Sequence, residues 1–87
     1  MKVKSDFLLR NVGGEHIVVP AMAQSFYQNR MLRLSETGAF LFQLLQCEIS
    51  EDELNAKLLE TYDVDAVTAK KDIEELLDVF ARKGLLE

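Results

Sequence analysis

Three helix starts built to one pattern constrain this chain more than any other feature. Ser35, Ser50 and Asp65 each stand where a side-chain oxygen can accept from the backbone N–H groups of a first helical turn. Each has an apolar residue just before it and another four positions after it. The pairs are Leu34/Ala39, Ile49/Leu54 and Val64/Ala69, the spacing of a hydrophobic staple. Ser50-Glu-Asp-Glu53 also fits a capping box, in which Glu53 returns a hydrogen bond to the N–H of the cap. The pattern predicts a helix from Ser35 to about Gln46, another from Ser50 to about Tyr62, and a third from Ala66 to about Lys83. Gly84 suits the C-terminal cap of the last.

The faces of these helices set their places. Phe40, Leu41, Phe42, Leu44 and Leu45 make the first apolar nearly all round, so it belongs in the centre. Leu54, Leu58, Leu59 and Tyr62 give the second a single face. Ala69, Ile73, Leu76 and Phe80 form the stripe of the third, with Leu77 at its margin, and Leu85-Leu86 are expected to fold back on the core.

Before Ser35 the grammar is that of strands. Phe7–Val12 and Glu15–Val19 flank Gly13-Gly14, which suits a two-residue hairpin because the tight primed turns need positive φ. Pro20 is expected to stop the second strand or to put it at an irregular point. Ala21 to Arg30 is ambiguous: Phe26 and Tyr27 could extend a strand, and Gln28-Asn29-Arg30 looks like a turn. Met31-Leu-Arg-Leu34 alternates as a short third strand.

With 87 residues the chain makes one small domain. Such a domain buries about 60–65% of its unfolded surface, leaving little room for a deep active site. The lone Cys47 rules out an internal disulfide and fits a reducing compartment. Met1 to Ser5 reads as polar and basic, the run Phe7–Leu9 that follows is too short for a signal-peptide core, and no stretch reaches the ~20 apolar residues of a membrane span. The expected location is the cytoplasm.

Charge is unevenly spread. Residues 1–34 hold five basic and two acidic groups, net +3, whereas residues 35–87 hold five basic and thirteen acidic groups, net −8. The total of −5 argues against nucleic acid as a partner, since phosphate neutralisation supplies most non-specific affinity.

Catalytic and metal-binding chemistry finds no foothold. His16 is the single histidine, reads as a solvated strand residue, and shares no ligand spacing with Cys47. Cys47 follows the apolar face of the first helix and reads as a small buried hydrophobe; a nucleophile would want a base and a positive setting, and Glu48 supplies the opposite. Glu51, Asp52 and Glu53 fill a helix first turn, where negative charge suits the dipole. Asp72, Glu74, Glu75 and Asp78 fall on the outer side of the third helix. No cofactor is expected.

What remains is architecture. A small sheet has free edges, and an edge carries unpaired N–H and C=O groups that must be covered or used. Met31–Leu34 is the candidate for use, because a peptide strand added there would gain main-chain hydrogen bonds. Arg30 and Arg33 lie on that segment, and Lys70 and Lys71 lie on the third helix. If the third helix lines the same groove, both walls are basic and favour an acidic peptide; the alternative is that the four are ordinary surface charges.

Taken in order, these segments resemble the PqqD-like family, the coenzyme PQQ synthesis protein D type, also called the RiPP recognition element. The resemblance rests on Ile17-Val-Val-Pro20, Met31-Leu-Arg-Leu-Ser-Glu-Thr-Gly-Ala-Phe-Leu41 and Glu53-Leu54 through Leu59. It continues in Tyr62-Asp-Val-Asp65 and closes with Asp72-Ile73, Leu76 and Gly84-Leu-Leu86. It covers nearly the whole chain, and order and spacing carry it rather than any single motif.

The resemblance implies an α+β, winged-helix-like fold: a three-stranded antiparallel sheet followed by a three-helix bundle. It implies a non-catalytic protein that holds the leader of a ribosomally made precursor as an added strand and presents it to a modifying enzyme, often a radical SAM protein. The leader would lie between the third strand and the third helix, against Arg30, Met31, Leu32, Arg33 and Leu34 on one wall. Ala66, Lys70, Ile73 and Leu77 are expected on the other, with Asp72 and Val79 marking the opposite margin of the stripe. The Ala21–Arg30 segment is longer than the turn in many members, which puts the shape of the groove mouth in question. Two rivals stand beside this reading. One is a winged-helix DNA-binding protein, which would want a basic recognition helix; the third helix has four acidic and four basic residues. The other is a structural subunit docked on a larger enzyme. A free edge permits either a monomer or a dimer.

Overall fold

A computed structural model describes residues 1–21 and 32–87. The readings placed on Ala21–Arg30 beyond Ala21, and on Met31, lie outside the described residues. Three strands precede three helices: β1 (Phe7–Val12), β2 (Glu15–Pro20), β3 (Leu32–Leu34), α1 (Glu36–Leu44), α2 (Glu51–Thr61) and α3 (Ala66–Arg82). The strands form one antiparallel sheet in the order β1-β2-β3, which gives the expected α+β fold.

Gly13 and Gly14 both take positive φ, 59° and 84°, and close the hairpin in two residues. That turn fixes the register: Val12 pairs with Glu15 and Phe7 with Pro20. Pro20 therefore belongs to β2 rather than ending before it. It sits at the last pair of the ladder, where a missing donor does least harm.

All three expected caps form. Ser35 Oγ accepts from Gly38 N–H, Ser50 Oγ from Glu53 N–H, and Asp65 Oδ1 from Thr68 N–H. Glu53 completes its capping box by accepting from Ser50 N–H, and hydrogen bonds from Ser50, the backbone one foremost, lower its carboxyl below the ordinary range. Asp65 is lowered too, chiefly by its hydrogen bond from Thr68. At the far end, Gly84 takes φ 75°. Leu85 N–H donates to Phe80 C=O and Gly84 N–H to Ala81 C=O, the paired bonds of a Schellman motif. This turn drives Leu85 into the core, where it is fully buried.

The core lies between one sheet face and the helices. Phe7, Val18 and Leu34 come from the sheet, Leu41, Phe42 and Leu45 from α1 and its end, Leu54 and Leu58 from α2, and Ala69, Ile73 and Phe80 from α3. Phe42 and Phe80 meet edge to face with centroids 6.0 Å apart. The central place expected of α1 follows from its neighbours, since it touches α2, β1 and β3.

Three local expectations change. Val3 is buried, although Met1–Ser5 reads as a polar start. Val3 N–H donates to Leu45 C=O, Lys4 N–H to Leu85 C=O and Glu87 N–H to Lys2 C=O, so the first residues are clasped against the last. Cys47 is exposed: α1 stops at Leu44, and Cys47 falls in the turn beyond it. His16 is half-buried rather than solvated, because it shares the core-facing side of β2 with Val18.

Candidate binding groove

The β3 edge of the sheet, where no described strand pairs, has a definite main-chain pattern. In an antiparallel ladder, residues of one strand bond alternately to the two sides. The two-residue turn makes Val12–Glu15 a hydrogen-bonded pair, so Glu15, Ile17 and Val19 bond toward β1 and His16 and Val18 toward β3. His16 faces Leu34 and Val18 faces Leu32. Leu32 and Leu34 therefore spend their backbone groups on β2. Arg33 turns its N–H and C=O outward, to the side where no described strand pairs. Side chains alternate the other way: Leu34 is buried, and Arg33 lies on the outer sheet face, its guanidinium 3.6 Å from Glu15.

Just past β3 the chain enters α1, and a cavity of about 300 Å³ opens between the start of α1 and α3. Ser35, Thr37, Gly38 and Leu41 form one wall, and Asp72, Glu75, Leu76 and Val79 the other. Ser35 Oγ lies 3.2 Å from Thr37 Oγ1, so two hydroxyls stand together at its mouth. A Cβ at Gly38 would come within 3.3 Å of Ser35 Oγ and 3.4 Å of Leu34 Cβ, so those neighbours would have to give by a few tenths of an ångström where β3 joins α1.

None of the residues expected on the second wall lines this cavity. Lys70 and Ile73 lie on the side of α3 turned toward α2. Lys70 and Ile73 border a separate hollow of about 190 Å³ with Glu51, Asp52 and Asn55, and Ile73 is only 1% exposed. Leu77 is half-buried against the core, and Ala66 is exposed at the start of α3. The reason is tertiary: a short connection keeps α2 beside α3 and claims that margin, leaving the opposite one to face α1. Leu32, Arg33 and Leu34 make up β3, the last strand in the sheet order; Arg30 and Met31 lie outside the described residues.

The charge of this cavity is opposite to that expected of the groove. The α3 wall of the cavity is acidic, through Asp72 and Glu75, both exposed. The cations expected to make both walls basic are elsewhere: Lys70 points toward α2, and Arg33 pairs with Glu15. The sequence held one sign of this arrangement in Val79, an apolar residue at a margin that a fully solvated face would fill with polar ones. Ser35 and Thr37 read only as helix-start residues, and nothing in their spacing marked them as a wall.

Among the described residues no three His, Cys, Asp or Glu side chains gather in a way that could hold a metal ion. No helix among them is long and apolar enough to cross a membrane.

Comparison with known proteins places the fold. No curated protein matches the chain. Two solved structures share its fold. TbiB1 in complex with the TbiA(beta) leader peptide has a TM-score of 0.77 and 22% identity, with 100% of this chain and 95% of that chain covered. Lasso peptide synthetase B1 complexed with the leader peptide has a TM-score of 0.73 and 17% identity, with 97% and 93% covered. The family model for Coenzyme PQQ synthesis protein D (PqqD) matches residues 15–86, from the start of β2 to the buried end of the chain, and the chain belongs to that family.

Proposed function

We propose that this protein is a non-catalytic peptide carrier. It takes the leader segment of a ribosomally synthesised precursor as an added β-strand on the free edge of β3 and presents it to a peptide-modifying enzyme, a radical SAM protein being one such partner. The observation that carries this reading is the edge itself: a short strand whose outward N–H and C=O belong to Arg33 and which leads directly into the cavity between α1 and α3. Family membership supports it, as does the fact that both similar structures are complexes with leader peptides.

In this mode main-chain bonds to β3 supply the register, and side-chain pockets supply choice. Leu32, Arg33 and Leu34 form the strand wall. Asp72, Glu75, Leu76 and Val79 replace Ala66, Lys70, Ile73 and Leu77 as the helix wall. A few main-chain bonds and one or two filled pockets fit a micromolar complex, about −8 kcal/mol. The carrier would work in the cytoplasm, where precursors are made. The acidic exposed positions of α3, Asp72, Glu74, Glu75 and Asp78, oppose a docking role on DNA.

The test is fluorescence anisotropy with a labelled peptide, the N-terminal half of any short precursor encoded beside this gene. Saturable binding in the micromolar range is expected. No binding at about 100 μM, a ceiling set by the affinity scale of such strand addition, would favour the docked structural subunit instead.

A further inference from the structure

The cavity beside β3 has two chemically different parts. Its floor is apolar, formed by buried Leu41 with half-buried Leu76 and Val79. Its α3 rim is anionic, because Asp72 and Glu75 stand three residues apart on one side of the helix. The wall opposite offers the hydroxyls of Ser35 and Thr37 and no charge. The N–H of Gly38 is already given to Ser35 Oγ. Farther along α3, Asp78 is matched by Arg82 at 3.0 Å, but among the described ion pairs none includes Asp72 or Glu75.

An apolar trough that ends at two carboxylates complements one kind of side chain, a long aliphatic stem with a cationic head. Lysine and arginine bury such stems on apolar surface while the charge stays at the wet rim. About 300 Å³ accommodates one such side chain together with a short piece of the backbone that carries it. An acidic side chain would meet two like charges at the same rim and be disfavoured.

We infer that the bound peptide carries a lysine or arginine whose stem lies across Leu41, Leu76 and Val79 and whose charge sits between Asp72 and Glu75. This rests on the leader-binding reading above and adds a charge requirement to it. Asp72 and Glu75 are then specificity residues, rejecting peptides that are acidic at that position.

The test is a double-mutant cycle on the labelled leader peptide of the preceding section. Each lysine or arginine of the peptide is replaced in turn by norleucine, which keeps the stem and removes the charge. Each peptide is titrated against the native protein, the Asp72→Asn/Glu75→Gln variant, and a Glu74→Gln control that alters an exposed carboxylate outside the cavity. One basic position is expected to matter: its replacement weakens binding about five- to tenfold, and that loss disappears in the double variant. Raising the salt should weaken the native complex and leave that of the double variant nearly unchanged. The Glu74→Gln control should stay within about twofold of native. If the leader binds but has no basic residue, or if no replacement couples to Asp72 and Glu75, the charge requirement is overturned and leader binding stands. If the leader does not bind at all, both readings fall together. Both variants change only exposed side chains, and matching amide spectra will show that each is folded.

Discussion

Arg33→Pro is expected to weaken leader binding at least tenfold while leaving the domain folded. The outward-facing backbone group of β3 is that of Arg33, since Leu32 and Leu34 are paired with Val18 and His16. Proline removes that N–H and places its ring where an incoming strand must lie. The β2–β3 ladder does not need the same N–H, and edge strands accept proline where the donor faces solvent. Loss of one main-chain bond together with the steric block should cost about 1.5–3 kcal/mol. Arg33→Ala keeps the N–H and loses only an exposed pair with Glu15, so it should bind within about threefold of native. Anisotropy reads the affinities and circular dichroism the fold. A proline variant that binds as well as the native protein would mean that the peptide does not add to β3.

Phe80→Ala is expected to be the most damaging single change to the fold. Phe80 is fully buried, comes from α3, and meets Phe42 of α1 edge to face, so it joins two helices at the centre of the core. Truncating such a ring costs about 3–5 kcal/mol in transfer and cavity terms. A domain of this length has only about 4–13 kcal/mol in total. The thermal midpoint should fall by about 15 °C or more. Val67→Ala on the same helix, at 80% exposure, should change stability by less than about 0.5 kcal/mol. Urea titration of the three proteins decides it. A loss below about 1 kcal/mol for Phe80→Ala would show that the α1–α3 contact is not central to stability.

The parts of the fold that could be read from sequence are those decided within a few residues. Ser35, Ser50 and Asp65 announce helix starts because a cap acts on the turn next to it. Gly13-Gly14 announces the hairpin because positive φ at two adjacent residues is a local demand. The stripe of Ala69, Ile73 and Phe80 was legible because one helix carries its whole period. What escaped was decided at a distance. Val3 reads as part of a polar start, and only its pairing with Leu86 and Leu45 puts it in the core. Cys47 reads as buried if α1 is run on to Gln46, and the actual stop at Leu44 leaves it outside.

The candidate site divides the same way. The β3 edge was visible in the alternation of Met31–Leu34, although its first residue lies outside those described. The helix wall was not visible, because both margins of the α3 stripe carry a mixture of apolar and charged residues. Only the position of α2 decides which margin remains open, and with it whether the cavity is basic or acidic. Lys70 and Asp72 are two residues apart in sequence and face different neighbours.

The most direct measurement of leader capture is an amide NMR titration of the native protein with the unlabelled leader half of the precursor. Strand addition on β3 should move the amides of Leu32–Leu34, with that of Arg33 most protected from exchange. A second set of shifts should run along Ser35–Gly38 and Asp72–Val79, while β1 stays still. Binding that leaves Leu32–Leu34 unmoved and shifts β1 or the α2–α3 hollow around Lys70 instead would contradict both the edge and the wall assigned to the groove.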